Sequence, residues 1–226
     1  MRLIGHYDSP FVRRVGVSLH VLGVAFERMP LSVFRNAAEL RRYNPLGRVP
    51  ALILVDGEVL IDSGAILDHL DETVGPERAL LPAGGRPRRD ALRRISLATG
   101  IGDKCIAIAY ERRKAAEKID PDWIARCRGQ IDLAMAALEQ SGDVRPRPDG
   151  RLLQPEITVA AILGYVRLRE PDAIPAGKYP KLEALSATAE ASAPFQACRP
   201  SIEEIGGPPE EARAALLRLA SGVVSS

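Results

Sequence analysis

Ser9-Pro10-Phe11-Val12-Arg13 is the stretch on which the reading of this chain turns. Ahead of it, Arg2 to His6 has the short apolar run of a β-strand. Behind it, Val12, Val15, Val17, Leu19 and Leu22 can cover the buried face of a helix that Pro10 opens and Gly23 caps. Working outward, Val24 to Met29 reads as a second strand. Ala37 to Tyr43 reads as a short helix that must end before Asn44-Pro45. Ala51 to Val55 and Glu58 to Ile61 flank Asp56-Gly57, a hairpin signal. Ser63 to Thr73 returns to helical spacing, with Ile66, Leu67 and Leu70 apolar. Strand, helix, strand, helix, strand, strand, helix is a small α/β unit with a mixed sheet.

After Leu81-Pro82-Ala83-Gly84-Gly85-Arg86-Pro87, a linker by composition, the strand patterns vanish. Leu92, Ile95, Thr99, Gly102, Ile106 and Ala109 step like one helix seam, and Ile124, Cys127, Ile131, Ala134 and Leu138 like another. Asp120-Pro121 suits the start of that second helix. A polar gap with Pro146, Pro148 and Gly150 follows. Ile157 to Leu168 is apolar enough to be a central helix, and Pro180 opens another through about Ser192. The tail after Gly206-Gly207-Pro208-Pro209 is either one more Ala-rich helix or a fraying end.

Composition removes several classes of function. With 226 residues, 46% hydrophobic and 27% charged, the chain is expected to fold rather than remain disordered. Lys plus Arg is 31 and Asp plus Glu 29, and aromatics are 4%, which gives nucleic acid neither a charge excess nor a stacking platform. The Arg86–Arg94 and Arg112–Lys114 clusters read as solvated helix faces. Cys105, Cys127 and Cys198 are too few and too far apart for a disulfide framework, so a reducing cytoplasm is expected. His6, His20 and His69 lack the spacing of metal ligands, and no metal is expected. No run of 18 apolar residues suggests a membrane span, and Asp8 with Arg13-Arg14 interrupts any signal-peptide pattern.

Two further motifs accompany Ser9. Asn44-Pro45-Leu46-Gly47-Arg48-Val49-Pro50-Ala51-Leu52 precedes the third strand, and Asp62-Ser63-Gly64-Ala65-Ile66 opens the third helix. Singly, each reads as a turn or an N-cap. In this order, with an all-helical half behind them, they resemble the cytosolic glutathione transferases. The resemblance covers nearly the whole chain. It implies an α/β N-terminal thioredoxin-like domain (βαβαββα) over residues 1–80, a linker over 81–87, and an all-α helical domain over 88–226 carrying the electrophile site. Ser-Pro-Phe-x-x-Arg is closest to serine-type bacterial and plant tau-like members, and Tyr7 is then a strand-end residue rather than a catalytic tyrosine.

The resemblance implies a role for each motif. A thiol attacks as its thiolate. Ser9 is the expected catalytic residue, its hydroxyl donating to glutathione's sulfur anion at a helix N-terminus. Phe11 packs beneath. Pro50 is the expected cis proline, aiming the Val49 backbone outward so that an extended tripeptide pairs with it like an added strand. Arg48 faces either glutathione's glycine carboxylate or solvent. Ser63 suits the γ-glutamyl carboxylate, Asp62 the neighbouring ammonium, and Asn36 falls where a polar residue can touch glutathione. Asp103, Cys105 and Tyr110 are candidates for the electrophile pocket, with ordinary interhelical packing as their alternative. Two departures stand out. Leu153-Gln154-Pro155-Glu156 occupies the place of a Ser/Thr-x-x-Asp capping box, and Leu153 cannot accept its N–H bond. Val12 stands where a dithiol enzyme would carry its second cysteine.

The expected activity is transfer of glutathione, a co-substrate with no tightly bound cofactor beside it, to a small electrophile in detoxification, or reduction of a hydroperoxide. A homodimer without nucleic-acid or membrane partners is expected. The alternatives are a maleylacetoacetate-type isomerase and a non-catalytic, transferase-like regulatory protein.

Overall fold

The structure, a computed structural model, describes residues 1–141 and 151–221. The polar gap with Pro146, Pro148 and Gly150 lies outside the described residues. Two compact units are present: Met1–Arg88 together with Ser192–Arg213, and Arg89–Ala191 together with the chain from Ala214.

The first unit contains β1 (Arg2–Ile4), α1 (Pro10–Leu22), β2 (Glu27–Met29), α2 (Ala37–Leu40), β3 (Ala51–Ile53), β4 (Val59–Leu60) and α3 (Ser63–Val74). This is the order read from the sequence, a thioredoxin-like βαβαββα unit. The sheet runs β2-β1-β3-β4. β1 pairs with β2 in parallel, and β3 is antiparallel to both β1 and β4. Ile4 faces Ala51 across the β1–β3 pair, so the exit of β1 lies beside the entry of β3.

The elements are shorter than their patterns. Gly23 at φ 68° ends α1, and Val24 N–H closes back on Leu19 O at 2.9 Å, so Val24 to Phe26 do not join β2. The second helix stops at Leu40, and its continuation to Asn44 is a turn held by Asn44 N–H on Leu40 O at 2.9 Å. α1 is buried along almost its whole length. Gly16 makes this possible: a Cβ there would meet the Tyr7 ring at 2.7 Å and Cys198 Sγ at 3.0 Å.

The remaining helices are α4 (Gly85–Glu111), α5 (Pro121–Gln140), α6 (Gln154–Arg169), α7 (Pro180–Ala191), α8 (Ala193–Ala197), α9 (Ile202–Ile205) and α10 (Pro209–Ser221). The second unit is built around α6, which is buried on every face from Gln154 to Leu168, as its unbroken apolar run predicts. Its start keeps half a capping box. The Glu156 carboxylate accepts Leu153 N–H at 3.0 Å and receives Arg94 at 3.3 Å, while Pro155 occupies the first turn. The buried stripe of α4 is Ala91, Ala98, Ile101, Gly102, Cys105 and Ile108, not the seam drawn from Leu92, which is 41% exposed. Two stripes overlap in that sequence. The buried residues include no polar side chain before Glu111, whereas the other stripe contains Thr99. Among the described residues no helix is long and apolar enough to cross a membrane.

Candidate functional site

Ser9 is the N-cap of α1, with extended backbone at φ −74° and ψ 122°. Pro10 removes one of the N–H groups the cap would otherwise have to satisfy. The Ser9 hydroxyl meets its own helix only at 3.5 Å, from Val12 N–H. At that length the contact is weak, so a half-buried hydroxyl remains at the positive end of a thirteen-residue helix. Phe11, beside it and half-buried, lies under the Arg14 guanidinium, 5.8 Å from ring centre to carbon.

The loop before β3 comes to the same edge. Val49-Pro50 is cis, as the resemblance implies. Gly5, at φ 127°, sits between Val12 and Val49, where a Cβ would come within 2.5 Å and 2.9 Å of them. The exit of β1 therefore lies directly against the Val49 side chain. Val49 N–H and C=O have no partner among the described residues, leaving one donor and one acceptor for an incoming extended chain. Asn44, missed as a site residue in the sequence, shapes this loop. It is 1% exposed, donates from Nδ2 to Arg48 O at 2.9 Å, and accepts Leu46 N–H at 3.0 Å. An Asn before Pro is a turn signal, but its span across four residues is visible only in three dimensions.

The third piece is the start of α3. Asp62 caps the helix, its Oδ1 accepting Gly64 N–H at 2.8 Å. Ser63 N–H and Ala65 N–H remain without a partner among the described residues, a ready anion site. Ser63 is 3% exposed, and its oxygen accepts two bonds from Arg14, at 2.8 Å from Nη2 and 3.2 Å from Nε. With both bonds received from a cation, the hydroxyl hydrogen is left to donate elsewhere. Arg14, not singled out in the sequence, thus ties α1 to the start of α3. Arg13 beside it is buried too, and nothing in the sequence marks which of the pair reaches α3.

Other candidates fall outside this cluster. The Asn36 side chain closes its own turn, accepting Ser32 N–H at 3.0 Å. Arg48 is exposed. In the second unit Asp103 is exposed and Tyr110 is 51% exposed. Cys105 on the same helix is fully enclosed, and burial pushes its thiol up to about 12, so it stays protonated. Tyr7 is buried, and desolvation raises its phenol far above the ordinary value. No cluster of metal-ligating side chains occurs among the described residues. A shallow cleft of about 550 Å³ lies by Arg2, Phe26, Ile53 and Val55, at the opposite ends of β1 and β3 from Ser9 and Val49.

The comparisons agree with this fold. The family model for the glutathione S-transferase N-terminal domain matches residues 3–78. A crystal structure of a glutathione transferase family member from Pseudomonas fluorescens Pf-5, with bound glutathione, is 35% identical. It superposes with a TM-score of 0.79, covering 88% of this chain and 98% of that one. The chain belongs to the glutathione transferase superfamily. Among its other relatives in the superfamily is the GST-like protein YibF of Escherichia coli, 29% identical over 174 residues, 75% of this chain and 83% of YibF. Maleylacetoacetate isomerase of Pseudomonas aeruginosa is 38% identical over 86 residues, 36% of this chain and 40% of the isomerase.

Proposed function

We propose that the protein is a serine-type glutathione transferase in which Ser9 holds glutathione's sulfur as thiolate. The observation that carries this is the Ser9 hydroxyl itself, at the start of α1 and bound to its own helix only at 3.5 Å. On this reading the hydroxyl donates a charge-assisted hydrogen bond to the sulfur and the helix dipole adds to it, so the thiol's proton leaves to water near neutral pH. The sulfur then forms its bond to an electrophilic carbon as the leaving group departs with the electron pair.

The peptide is held from both sides. Val49 N–H and C=O pair with the cysteinyl backbone. The γ-glutamyl carboxylate takes the Ser63 hydroxyl hydrogen and the free N–H groups of α3, and Asp62 faces the ammonium. Arg48 on the exposed loop takes the glycine carboxylate, Phe11 packs below, and Asn36 acts through its turn. Residues 1–80 are the glutathione domain, 81–87 the linker, and 88–226 the helical domain, of which Ser192–Arg213 packs as part of the first compact unit, with the electrophile near Asp103 and Tyr110. The enclosure of Cys105 fits a packing role there.

Retention on immobilised glutathione, with turnover of a generic aryl halide, tests the reading. Retention without turnover of any electrophile or hydroperoxide would favour a binding protein. The similarity to a maleylacetoacetate isomerase supports a second reading. Glutathione-dependent cis–trans isomerisation of a maleyl-type diacid without aryl halide turnover would select it. We further propose a cytoplasmic homodimer acting in detoxification. The three buried free cysteines fit a reducing compartment. Light scattering at micromolar protein is expected to give twice the chain mass, and a monomer mass would remove the dimer.

A further inference from the structure

The turn that carries Ser9 is held by a residue almost two hundred positions away. Between β1 and α1 the backbone runs from Gly5 to Ser9. Gly5 N–H is fixed on Met29 O at 3.0 Å and Ser9 N–H on His6 O at 3.1 Å. The middle of the turn, Tyr7 N–H, is taken by Glu204 Oε1 at 3.3 Å. Glu204 lies on α9, in the segment Ser192–Arg213 that belongs to the same compact unit. Its carboxylate is fixed on every side. Oε2 accepts Ser201 N–H at 2.9 Å, Oε1 pairs with Arg28, and the Arg28 guanidinium lies 3.8 Å above the Tyr7 ring centre. One turn into α1, Arg13 reaches the same segment, donating to Cys198 O at 3.0 Å and Phe195 O at 3.4 Å. Ser9 sits between these two attachments, two residues after Tyr7 and four before Arg13.

A hydroxyl that must meet a sulfur anion has to be placed within a fraction of an ångström, and a misplacement of about 1 Å can cost on the order of a hundredfold in rate. We propose that Glu204 is a positioning residue for Ser9: by holding Tyr7 N–H, with Arg28 steering its carboxylate, it sets where the Ser9 hydroxyl points. Glu204 touches no substrate and acts only through the turn. The proposal rests on the Ser9–thiolate reading and adds a residue from the far end of the chain to that site.

The test is ultraviolet titration of the glutathione thiolate bound to the full-length protein. Glu204→Ala is expected to raise the bound thiol's pKa by about one unit, a tenfold loss of thiolate near neutral pH, with glutathione affinity changed less than about threefold. Glu204→Gln keeps an acceptor for Tyr7 N–H and is expected to restore most of the wild-type titration. The double variant Ser9→Ala/Glu204→Ala is expected to titrate like Ser9→Ala alone. Glu203→Ala, at a neighbouring exposed carboxylate, is the control and is expected to leave the titration unchanged. If Glu204→Ala does not fold, Arg28→Met takes its place, with a smaller rise expected in the same direction. A folded Glu204→Ala or Arg28→Met with the wild-type titration would overturn the proposal, as would a double variant whose shifts simply add. A wild type that forms no bound thiolate, or a Ser9→Ala variant that keeps it, would overturn the underlying reading instead, and the two failures are separable.

Discussion

Asp120 and Ser9 stand at the same place, the residue before a Pro-initiated helix, and are used in opposite ways. At α5 the Asp120 carboxylate accepts both Asp122 N–H and Trp123 N–H at 3.0 Å, so the side chain serves its own helix. At α1 the Ser9 hydroxyl has one contact with its helix, at 3.5 Å. Both read as N-caps in sequence. The difference is one of spare capacity: both side chains stand at a helix start, but only the Ser9 hydroxyl keeps its hydrogen-bonding capacity largely unused by its own helix, which is what the proposed role needs. Ser63 lies between the two, its oxygen occupied by Arg14 and its hydrogen still available.

Four substitutions, the last read against pH, can break or sharpen this comparison. The largest effect is expected at Ser9. Removing a hydrogen bond to a charged group costs roughly 1.5–3 kcal/mol, so Ser9→Ala should lower turnover near neutral pH by about tenfold to a hundredfold. Glutathione affinity should change little, and turnover should recover partly in alkaline buffer. Steady-state kinetics across pH check this, and a Ser9→Ala enzyme of unchanged turnover would make Ser9 another Asp120. Ser63→Ala should weaken glutathione binding about tenfold, with turnover at saturating glutathione nearly preserved. Calorimetry showing unaltered affinity in a folded variant would take α3 out of the site.

Asp120→Ala should do the reverse of Ser9→Ala. It should lose about 1 kcal/mol of stability, lowering the thermal midpoint by about 2–4 °C, with no change in glutathione chemistry. A catalytic defect there would show that the two helix starts are not distinct in kind. The smallest effect is expected in acid. Glu111 is held below the usual carboxylate range by its bond from Lys114, and Asp132 by its bond from Lys178. A depressed folded-state value contributes stability that is present above about pH 4 and lost as pH falls through that lower value. The thermal midpoint should therefore fall below about pH 4, by less in Asp132→Asn than in wild type.

The order of elements in the first unit was legible because strands, turns and caps there carry local signals, Gly23 and Asp56-Gly57 above all. The position of Ser9, Val49 and Ser63 at element ends was legible for the same reason. Arg14, Asn44 and Glu204 were not. Arg14 acts over 49 positions and Glu204 over 197, and no periodicity records such a contact; Asn44 acts within its own loop, where the turn signal does not say which way its side chain closes. The α4 seam failed because two helical stripes one residue apart satisfied the same spacing, and periodicity alone does not choose between them.

The most direct test of the central claim is ultraviolet titration of the thiolate of glutathione bound to wild type and to Ser9→Ala. The expected result is a bound thiol in wild type titrating below the ordinary thiol value, raised by about one to two units in Ser9→Ala. An identical titration in the two proteins would contradict it and move the anion's stabilisation to the backbone N–H groups at the start of α1.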